Sequence, residues 1–325
     1  MKAAIVERYG PPEVVQVMEI PDPAPADSEV LVKALATTVN SGDARLRALR
    51  VPRGMRLPVR LTIGLTGPRR PVLGFEVAGL VEAVGGAVTG FRPGDRVVVS
   101  RGFKFGCHAE LVTVDEQGAI ARIPDDLSPQ DAVSLCFGGA TALHFFRRAE
   151  LAPGETVLIN GASGAVGTMA VQIAKHTGAE VTAVCSGANA SLVEDLGASH
   201  VIDYTAEDFT RNGRRYDVIM DTHGNGPYAR VKGSLAPGGR FLMVVGDLPQ
   251  TLSAMPRKAV IGGTAPTTAD AFRTLMSLAE RRELTPVIDS LLPFAQIREA
   301  HRRVDGGHKV GSVVLTFDAL GQDSA

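Results

Sequence analysis

The sequence of 325 residues contains no tryptophan, four tyrosines and three cysteines. Three scattered cysteines are too few for a disulfide framework or a cysteine-rich zinc site, and they fit a reducing compartment. The formal net charge is −1, so no overall electric field would recruit nucleic acid or an anionic membrane. Because tryptophan is also missing, the composition gives little reason to expect a nucleic-acid partner.

Long apolar runs are absent as well. No stretch is long enough to span a bilayer. The apolar start at residues 1–6 is cut short by Glu7 and Arg8, unlike a signal sequence or a membrane anchor. These absences predict a cytoplasmic protein with no membrane partner. With 45% hydrophobic residues, the chain can still build a sizeable core, and its length allows two domains.

The two ends of the chain predict one mostly antiparallel β domain, formed by residues 1–122 and 264–325. Short apolar segments separated by glycine and proline dominate the first part. The second part contains two helical patterns and a terminal strand at 311–317. We expect this strand to pair back into the first part, which would make the middle of the chain an insertion. The strands predicted in the first part lie at 3–6, 30–36, 75–84, 95–99 and 109–114.

The middle region, residues 123–263, predicts a parallel, doubly wound sheet because strands and helices alternate along it. It begins with Ser128-Pro-Gln-Asp131, which is typical of the N-cap and first turn of a helix. We expect that helix to end at Cys136 and a second helix to follow at 140–148. The strands predicted in this region lie at 157–159, 181–184, 200–202, 218–220, 241–245 and 260–261.

The segment from Thr156 to Gly167 is the most informative part of the sequence. Its apolar start, Thr-Val-Leu-Ile-Asn, runs into Gly-Ala-Ser-Gly-Ala-Val-Gly, and a helical pattern follows. A strand that turns into a helix in this way leaves free backbone N–H groups that can hold a pyrophosphate. Gly164 would let the backbone approach the phosphates, and Gly167 would let the helix lie close to its strand. The segment predicts dinucleotide binding, the alternative being a tight turn without a ligand.

Several segments, in their order and spacing, resemble the medium-chain dehydrogenase/reductase superfamily, in its zinc-free quinone oxidoreductase (zeta-crystallin-like) branch. The resemblance covers nearly the whole chain. It implies a Rossmann domain inserted in a GroES-like domain, and a pyridine-nucleotide-dependent reductase of quinones or activated enones. A homodimer through the sheet edge near Val260 is a further expectation from the family. The matching segments include VNSGD from Val39, VLGFEVAG from Val72, FRPGDRV from Phe91, GATA from Gly139, NGASGAVG from Asn160 and VIDY from Val201.

The resemblance also argues against a catalytic metal. Zinc alcohol dehydrogenases of the same superfamily hold their ion with Cys, His and Cys. The corresponding positions here are Asn40, Phe75 and a residue near Phe137, and Cys136 beside the third position would have no partners. We therefore expect no metal, and hydride delivery to an acceptor that is already electron-poor.

The predicted cofactor is NADPH. The second strand of the nucleotide domain ends in Val184-Cys-Ser-Gly-Ala-Asn189. It lacks the Asp or Glu that would bind a ribose 2′-hydroxyl and repel a 2′-phosphate. Ser186, Asn189 and Tyr204 remain as neutral donors. Ser186 and Asn189 could instead cap the following helix, and Tyr204 could be a packed surface ring.

By resemblance, a further set of residues surrounds the cofactor. One group would touch the pyrophosphate and consists of residues of the glycine-rich turn. Another would lie near the nicotinamide. The first group is Ser163, Gly164, Ala165 and Val166, and the second is Thr141 and Gly246.

Asn40 and His108 are the candidates for the reacting centre. By resemblance Asn40 lies beside the nicotinamide ribose, where its amide could donate to the oxygen that gains charge. Alternatively, Asn40 caps a helix at 41–49, whose first N–H groups Asp43 is expected to satisfy. His108 could protonate an enolate or be a packed imidazole. His223 could border the cofactor.

Between Asp43 and Glu76 the sequence has eight arginines and no acidic residue. One interpretation is a solvated lid loop. The other is an electrostatic funnel for the phosphorylated cofactor or for an anionic acyl substrate.

The sequence thus predicts an NADPH-dependent, zinc-free oxidoreductase that acts on a small-molecule quinone or α,β-unsaturated carbonyl. Two alternatives stay open. One is an enoyl reductase of a biosynthetic pathway, in which the arginines would engage a carrier-bound substrate. The other is a non-catalytic NADPH-binding protein.

Overall fold

Two large sheets organise the chain, whose computed structural model describes residues 1–51, 54, 56–246 and 259–317. The first sheet has seven strands and the second has six. A separate hairpin joins the first two strands. The strands are β1 (Lys2–Val6), β2 (Val15–Glu19), β3 (Glu29–Val39), β4 (Glu76–Val84), β5 (Arg96–Ser100), β6 (Leu111–Asp115), β7 (Ala119–Arg122), β8 (Thr156–Asn160), β9 (Glu180–Cys185), β10 (His200–Asp203), β11 (Tyr216–Asp221), β12 (Leu235–Met243), β13 (Val260–Gly262), β14 (Ile288–Pro293) and β15 (Ser312–Thr316).

The seven-stranded sheet is mostly antiparallel, as predicted. Its strands follow the order β14-β15-β3-β4-β5-β7, and β6 pairs with β3 off this path. β15 runs antiparallel to β3, with Val313 opposite Val39. The prediction that the terminal strand pairs back into the first part of the chain is therefore confirmed.

The six-stranded sheet is parallel, in the order β10-β9-β8-β11-β12-β13. Continuous apolar strands such as Val-Leu-Ile in β8 suit this sheet because helices cover both of its faces. The predicted fold, a doubly wound Rossmann sheet with a GroES-like β domain, is confirmed. The domain boundaries at 122/123 and 263/264 stay predictions, and residues 318–325 lie outside the described part.

The helix α3 corrects one prediction from the sequence. Residues 128–148 were expected to form two helices, but α3 is continuous, and Ser128 caps it by accepting the Asp131 N–H. Gly138 and Gly139 do not break the helix. They allow other parts of the chain to pack closely against it. A Cβ on Gly138 would lie 2.0 Å from the Ala165 carbonyl oxygen, and one on Gly139 would lie 2.5 Å from the Leu275 side chain. The helices are α1 (Ser41–Ala48), α2 (Arg56–Ile63), α3 (Pro129–Ala149), α4 (Ala165–His176), α5 (Ala190–Asp195), α6 (Tyr228–Val231), α7 (Ala269–Glu280) and α8 (Ile297–Asp305).

The largest apolar cluster joins both sheets through α3. It contains Ala36 of β3, Phe145 of α3 and Ile159 of β8, all almost fully buried. Burial of this kind is the main favourable term in folding. In the part of the chain that the structure describes, no helix has the length and apolar character that crossing a bilayer requires.

Candidate functional site

A cavity of about 660 Å³ lies at the carboxyl ends of β8, β9, β10 and β11 and is bounded by α1 and by the segment before β15. Ligands of doubly wound sheets bind at such a position, where the strand order reverses. Here β9 and β11 flank β8 on opposite sides. Most of the cofactor residues predicted from the sequence meet at this cavity. They are Asn40, Ser163, Gly164, Ala165, Val166, Ser186, Asn189 and Tyr204.

The turn between β8 and α4 has the backbone geometry of a phosphate cradle. Gly164 is the N-cap of α4, and no side chain caps the first N–H groups of that helix. A Cβ on Gly164 would have only the Gly161 carbonyl oxygen within 4 Å, at 3.6 Å, so the space beside Gly164 is open. A Cβ on Gly167 would lie 2.1 Å from the same oxygen. Gly167 therefore has the packing role predicted for it, whereas Gly164 leaves room for a ligand.

A second segment reaches this turn from the far end of the chain. Gly311 donates its N–H to the Ser163 carbonyl oxygen at 2.9 Å, and the Lys309 ammonium donates to the Gly311 carbonyl oxygen at 2.5 Å. Lys309 lines the cavity, and burial lowers the pKa of its ammonium to about 8. Sequence reasoning missed Lys309 because only the sheet topology brings it to Ser163. Its single sequence cue is a lone cation after the Gly306-Gly307 pair.

Positive charge dominates the described wall of the cavity. Among these lining residues the only carboxylate is that of Asp305. This carboxylate binds Arg50 and, at 2.5 Å, the fully buried guanidinium of Arg47. A wall with this surplus of cations favours a polyanionic ligand. The lining cations are Arg45, Arg50, Arg230 and Lys309.

Ser186, Asn189 and Tyr204 lie together at the ends of β9 and β10 and line the same cavity. Asn189 Nδ2 donates to Ser186 Oγ at 3.2 Å, and neither side chain caps a helix. The capping alternative is therefore not what the structure shows for these two residues. Tyr204 is exposed. Their role as donors to a 2′-phosphate stays a prediction.

Thr141 and Gly246 are not among the residues that line the cavity. Thr141 lies within α3, where its Oγ1 donates to the Phe137 carbonyl oxygen at 2.8 Å. A Cβ on Gly246 would lie 2.6 Å from the Met243 sulfur, so Gly246 packs on the end of β12. The structure does not bring these two residues to the others, and their contact with a nicotinamide stays a prediction.

Asn40 is the N-cap of α1 and also lines the cavity. Its Oδ1 accepts the N–H groups of Gly42 and Asp43 at 2.8 and 3.1 Å, so the capping interpretation is confirmed. Because Oδ1 is committed to the helix, the orientation of the amide is fixed. Nδ2 lies 3.4 Å from Glu76 Oε1. Asn40 thus offers an oriented amide nitrogen beside the cavity.

Two buried carboxyl groups, of Asp43 and Glu76, lie behind Asn40. Asp43 accepts the N–H groups of Asn40 and Gly74 at 3.0 and 3.1 Å. It is therefore structural, but it binds the N-cap N–H, and the first N–H groups predicted for it are accepted by Asn40. Burial raises the pKa of Asp43 to about 7. Burial, with the neighbouring Asp43, raises the pKa of Glu76 to about 8, and the Thr38 hydroxyl donates to Glu76. Glu76 therefore keeps its proton near neutral pH.

His108 is packed in the interior and does not line the cavity. Its ring is 1% exposed, and Nε2 lies 2.9 Å from the Thr38 carbonyl oxygen. Burial lowers the pKa of this imidazole to about 4, so the ring is neutral and Nε2–H donates to the backbone. This position favours the packed-imidazole interpretation of His108. His223, by contrast, lines the cavity.

An apolar wall borders the cavity beside Asn40, at the positions where the sequence resemblance predicts no metal ligands. The rings of Phe75 and Phe137 pack edge to face with centroids 6.0 Å apart, and Phe137 and Asn40 line the cavity. A Cβ on Gly42 would lie 2.9 Å from Asn40 Oδ1 and 3.0 Å from Phe75, so the amide and the ring are neighbours. No group of three His, Cys, Asp or Glu among the described residues could hold a metal. These side chains do not fit a zinc ion.

Two family models match the chain. Residues 26–125 match the alcohol dehydrogenase GroES-like domain. Residues 196–315 match the model described as zinc-binding dehydrogenase. The name of the second model refers to zinc, but no group of three His, Cys, Asp or Glu among the described residues could hold a metal ion.

Known proteins are similar to the chain over almost all of its length. The acryloyl-coenzyme A reductase of Metallosphaera sedula is 30% identical, over 97% of this chain and 100% of its own. The chloroplastic NADPH-dependent alkenal/one oxidoreductase of Arabidopsis thaliana is 28% identical, over 97% of this chain and 79% of its own. Among solved structures, the quinone oxidoreductase from Coxiella burnetii has a TM-score of 0.86 at 26% identity, and the match covers 97% and 99% of the two chains.

Proposed function

Because this chain belongs to the medium-chain dehydrogenase/reductase superfamily, in its quinone oxidoreductase branch, we propose that it is a zinc-free, NADPH-dependent oxidoreductase. Its acceptor in this proposal is a small-molecule quinone or α,β-unsaturated carbonyl compound. The relatives support an oxidoreductase. The cofactor and the acceptor are argued from the cavity.

The surplus of cations beside the glycine-rich turn is the observation that carries the proposal. The open N-terminus of α4 would hold the pyrophosphate through the backbone of Gly164 and its neighbours. Ser186 stands where an NAD-selective chain has a carboxylate, so the end of β9 itself supplies no carboxylate to repel a 2′-phosphate, although Asp203 of β10 lies beside Gly187. Lys309 adds positive charge to the same wall, which Arg230 also lines while it is paired with Asp208 at 3.1 Å. When bound, NADPH would supply a hydride to the acceptor.

Asn40 and the aromatic wall support an electron-poor, flat acceptor. One hydrogen of Asn40 Nδ2 is directed to Glu76, and the other can donate to the acceptor oxygen as it gains charge. Because Glu76 keeps its proton near neutral pH, the carboxyl group that accepts from Asn40 Nδ2 carries no negative charge that would oppose that change. Phe137 and Phe75 exclude water on one side. A quinone then needs no general acid, since a hydroquinone anion can take its proton from water.

The test follows NADPH absorbance with a benzoquinone, an alkenal and an enoyl thioester in turn. We expect oxidation with the benzoquinone or the alkenal, and a rate about 10 to 100 times lower in Asn40→Ser at similar NADPH affinity. Serine also caps helices, so this variant removes the amide donor and keeps α1. A marked preference for the thioester would favour the enoyl reductase. Tight NADPH binding without oxidation of any acceptor would overturn the proposal.

Lys309 is expected to make NADPH affinity depend on pH. Its pKa is about 8, so the ammonium loses its charge, and its attraction for a phosphate, as the pH rises from 7 to 9. We expect the dissociation constant of NADPH to increase about tenfold over this range, which corresponds to about 1.4 kcal/mol. In Lys309→Met the affinity should be lower at pH 7 and almost constant up to pH 9. Fluorescence titration measures both, with Lys232→Met at an exposed site as the control.

A cytoplasmic location and a homodimer are also proposals. Cys107, Cys136 and Cys185 are free and buried, which suits a reducing compartment. β13 forms one edge of the parallel sheet, and such an edge can pair with a second copy of the chain. Sedimentation equilibrium of the full chain checks the homodimer, and a monomer at all concentrations would exclude it.

A further inference from the structure

An exposed apolar surface lies outside the cavity, on α2 and the turn at 102–104. Leu57 and Leu61 stand one turn apart on α2, with exposed fractions of 65% and 55%, and Phe103 has 63%. No residue of α2 is buried, so this helix adds little to the core. Large exposed apolar side chains that cluster in this way mark an interaction site.

Cations accompany these apolar side chains. Arg56 and Arg60 stand one turn apart on α2. Arg69 donates to the Leu61 carbonyl oxygen at 3.0 Å, and Arg70 donates to the Lys104 carbonyl oxygen at 3.0 Å, which ties the turn at 102–104 to the same surface. We call α2, residues 65–70 and this turn the basic–apolar surface. Within the described ranges, none of its cations forms an ion pair.

We propose that the basic–apolar surface docks this protein on an anionic lipid membrane. On α2 the stripe of Leu57 and Leu61 lies next to the stripe of Arg56 and Arg60, about 100° around the helix axis. A helix of this kind can lie in a lipid interface, with its apolar side chains at the acyl boundary and its cations at the headgroup phosphates. The overall charge of −1 predicted no such partner. This net charge conceals a local excess of positive charge, since residues 44–75 contain eight arginines and no carboxylate.

The uniform sign of the charge favours a lipid surface over a protein partner. A protein interface fixes its register with complementary charges, commonly of both signs. The headgroups of an anionic membrane form a continuous negatively charged surface, so a protein can bind them without a fixed register of contacts. A second copy of this chain is disfavoured, because a two-fold contact through this surface would bring together two patches of the same positive charge.

A series of aromatic rings leads from this surface to the cavity. The centroids of Phe103 and Phe75 are 6.1 Å apart, and those of Phe75 and Phe137 are 6.0 Å apart. Phe137 lines the cavity. An apolar acceptor dissolved in the membrane would meet aromatic side chains along this path. The path as a substrate route rests on the proposed function, whereas the docking itself does not.

Vesicle sedimentation of the full chain tests the docking. We expect binding to vesicles of phosphatidylcholine with phosphatidylglycerol, little binding to phosphatidylcholine alone, and loss of binding at high salt. The pairs Arg56→Gln with Arg60→Gln, and Leu57→Gln with Leu61→Gln, should each weaken the partition by about tenfold. Matched controls are Arg211→Gln with Arg214→Gln, and Leu291→Gln, which change exposed residues elsewhere and should have little effect.

The melting temperature measured by circular dichroism should be unchanged in these variants, which shows that they fold. The docking proposal is overturned if the chain ignores anionic vesicles at low salt, or if the arginine and leucine pairs bind them as the controls do. Binding to an acidic protein or self-association that needs these residues, without vesicle binding, would also overturn it. Vesicle binding is measured without turnover. A failure of the proposed function would therefore abolish turnover and leave vesicle binding unchanged.

Discussion

Replacement of Gly164 by valine is expected to lower the affinity for NADPH by about 100-fold and to leave the fold intact. The new Cβ meets no protein atom closer than the Gly161 carbonyl oxygen at 3.6 Å, so the native backbone accommodates a β-carbon at this position. The added side chain stands in the space that a pyrophosphate needs to reach the free N–H groups at the start of α4. Loss of one or two hydrogen bonds to a charged group, at about 1.5–3 kcal/mol each, gives this factor.

Gly167→Ala is the matched control for this prediction. Its Cβ would lie 2.1 Å from the Gly161 carbonyl oxygen, a backbone atom that cannot move aside as a flexible side chain can. This variant should therefore lose stability, seen as a lower melting temperature. Calorimetric titration with NADPH and thermal unfolding of both variants separate the two effects. Native affinity in Gly164→Val would show that this turn is not where the cofactor binds.

The contrast between these two glycines shows which parts of the fold and site could be predicted from the sequence. The turn from β8 to α4 is a local pattern, in which each residue type follows from the position of its neighbours. The cap of α1 by Asn40 is local in the same way, because its partners are two and three residues away. The alternation of strands and helices likewise predicts a parallel sheet without knowledge of any contact.

The parts that could not be predicted depend on contacts between distant residues. No neighbour of Gly138 in the sequence indicates that the first turn of α4 packs against it. The sequence therefore predicts two helices where the structure has the single helix α3. Lys309 reaches the glycine-rich turn only because β15 pairs with β3. The sequence does not reveal the burial of His108 either. In an exposed loop the same histidine would be a plausible proton donor. Burial decides the pKa and role of a titratable group, and the sequence states burial only indirectly.

Arg47 is the most unusual of these buried groups, because its side chain is fully buried and charged. Among the described residues, Nε and Nη1 have no hydrogen-bond partner, and Nη2 binds the Asp305 carboxylate at 2.5 Å. Asp305 ends α8 and is itself one of the cavity-lining residues of the 304–309 segment, four positions before Lys309. When a buried charge has a single ion-pair partner, removal of that partner leaves the charge uncompensated and lowers the free energy of unfolding strongly. The ion pair therefore connects the stability of the fold to the position of Lys309.

Asp305→Ala is expected to lower the free energy of unfolding by about 3 kcal/mol, because it leaves the Arg47 guanidinium buried without a counter-charge. The carboxylate is 21% exposed, which places the effect at the lower end of the range for buried pairs. Adding Arg47→Met should restore most of the loss, since methionine fills the space without a charge. Urea unfolding of the single and double variants measures this coupling, with Arg147→Gln at an exposed ion pair as a control that costs less than about 1 kcal/mol. Equal losses from Asp305→Ala and Arg147→Gln would show that the burial of Arg47 does not control stability.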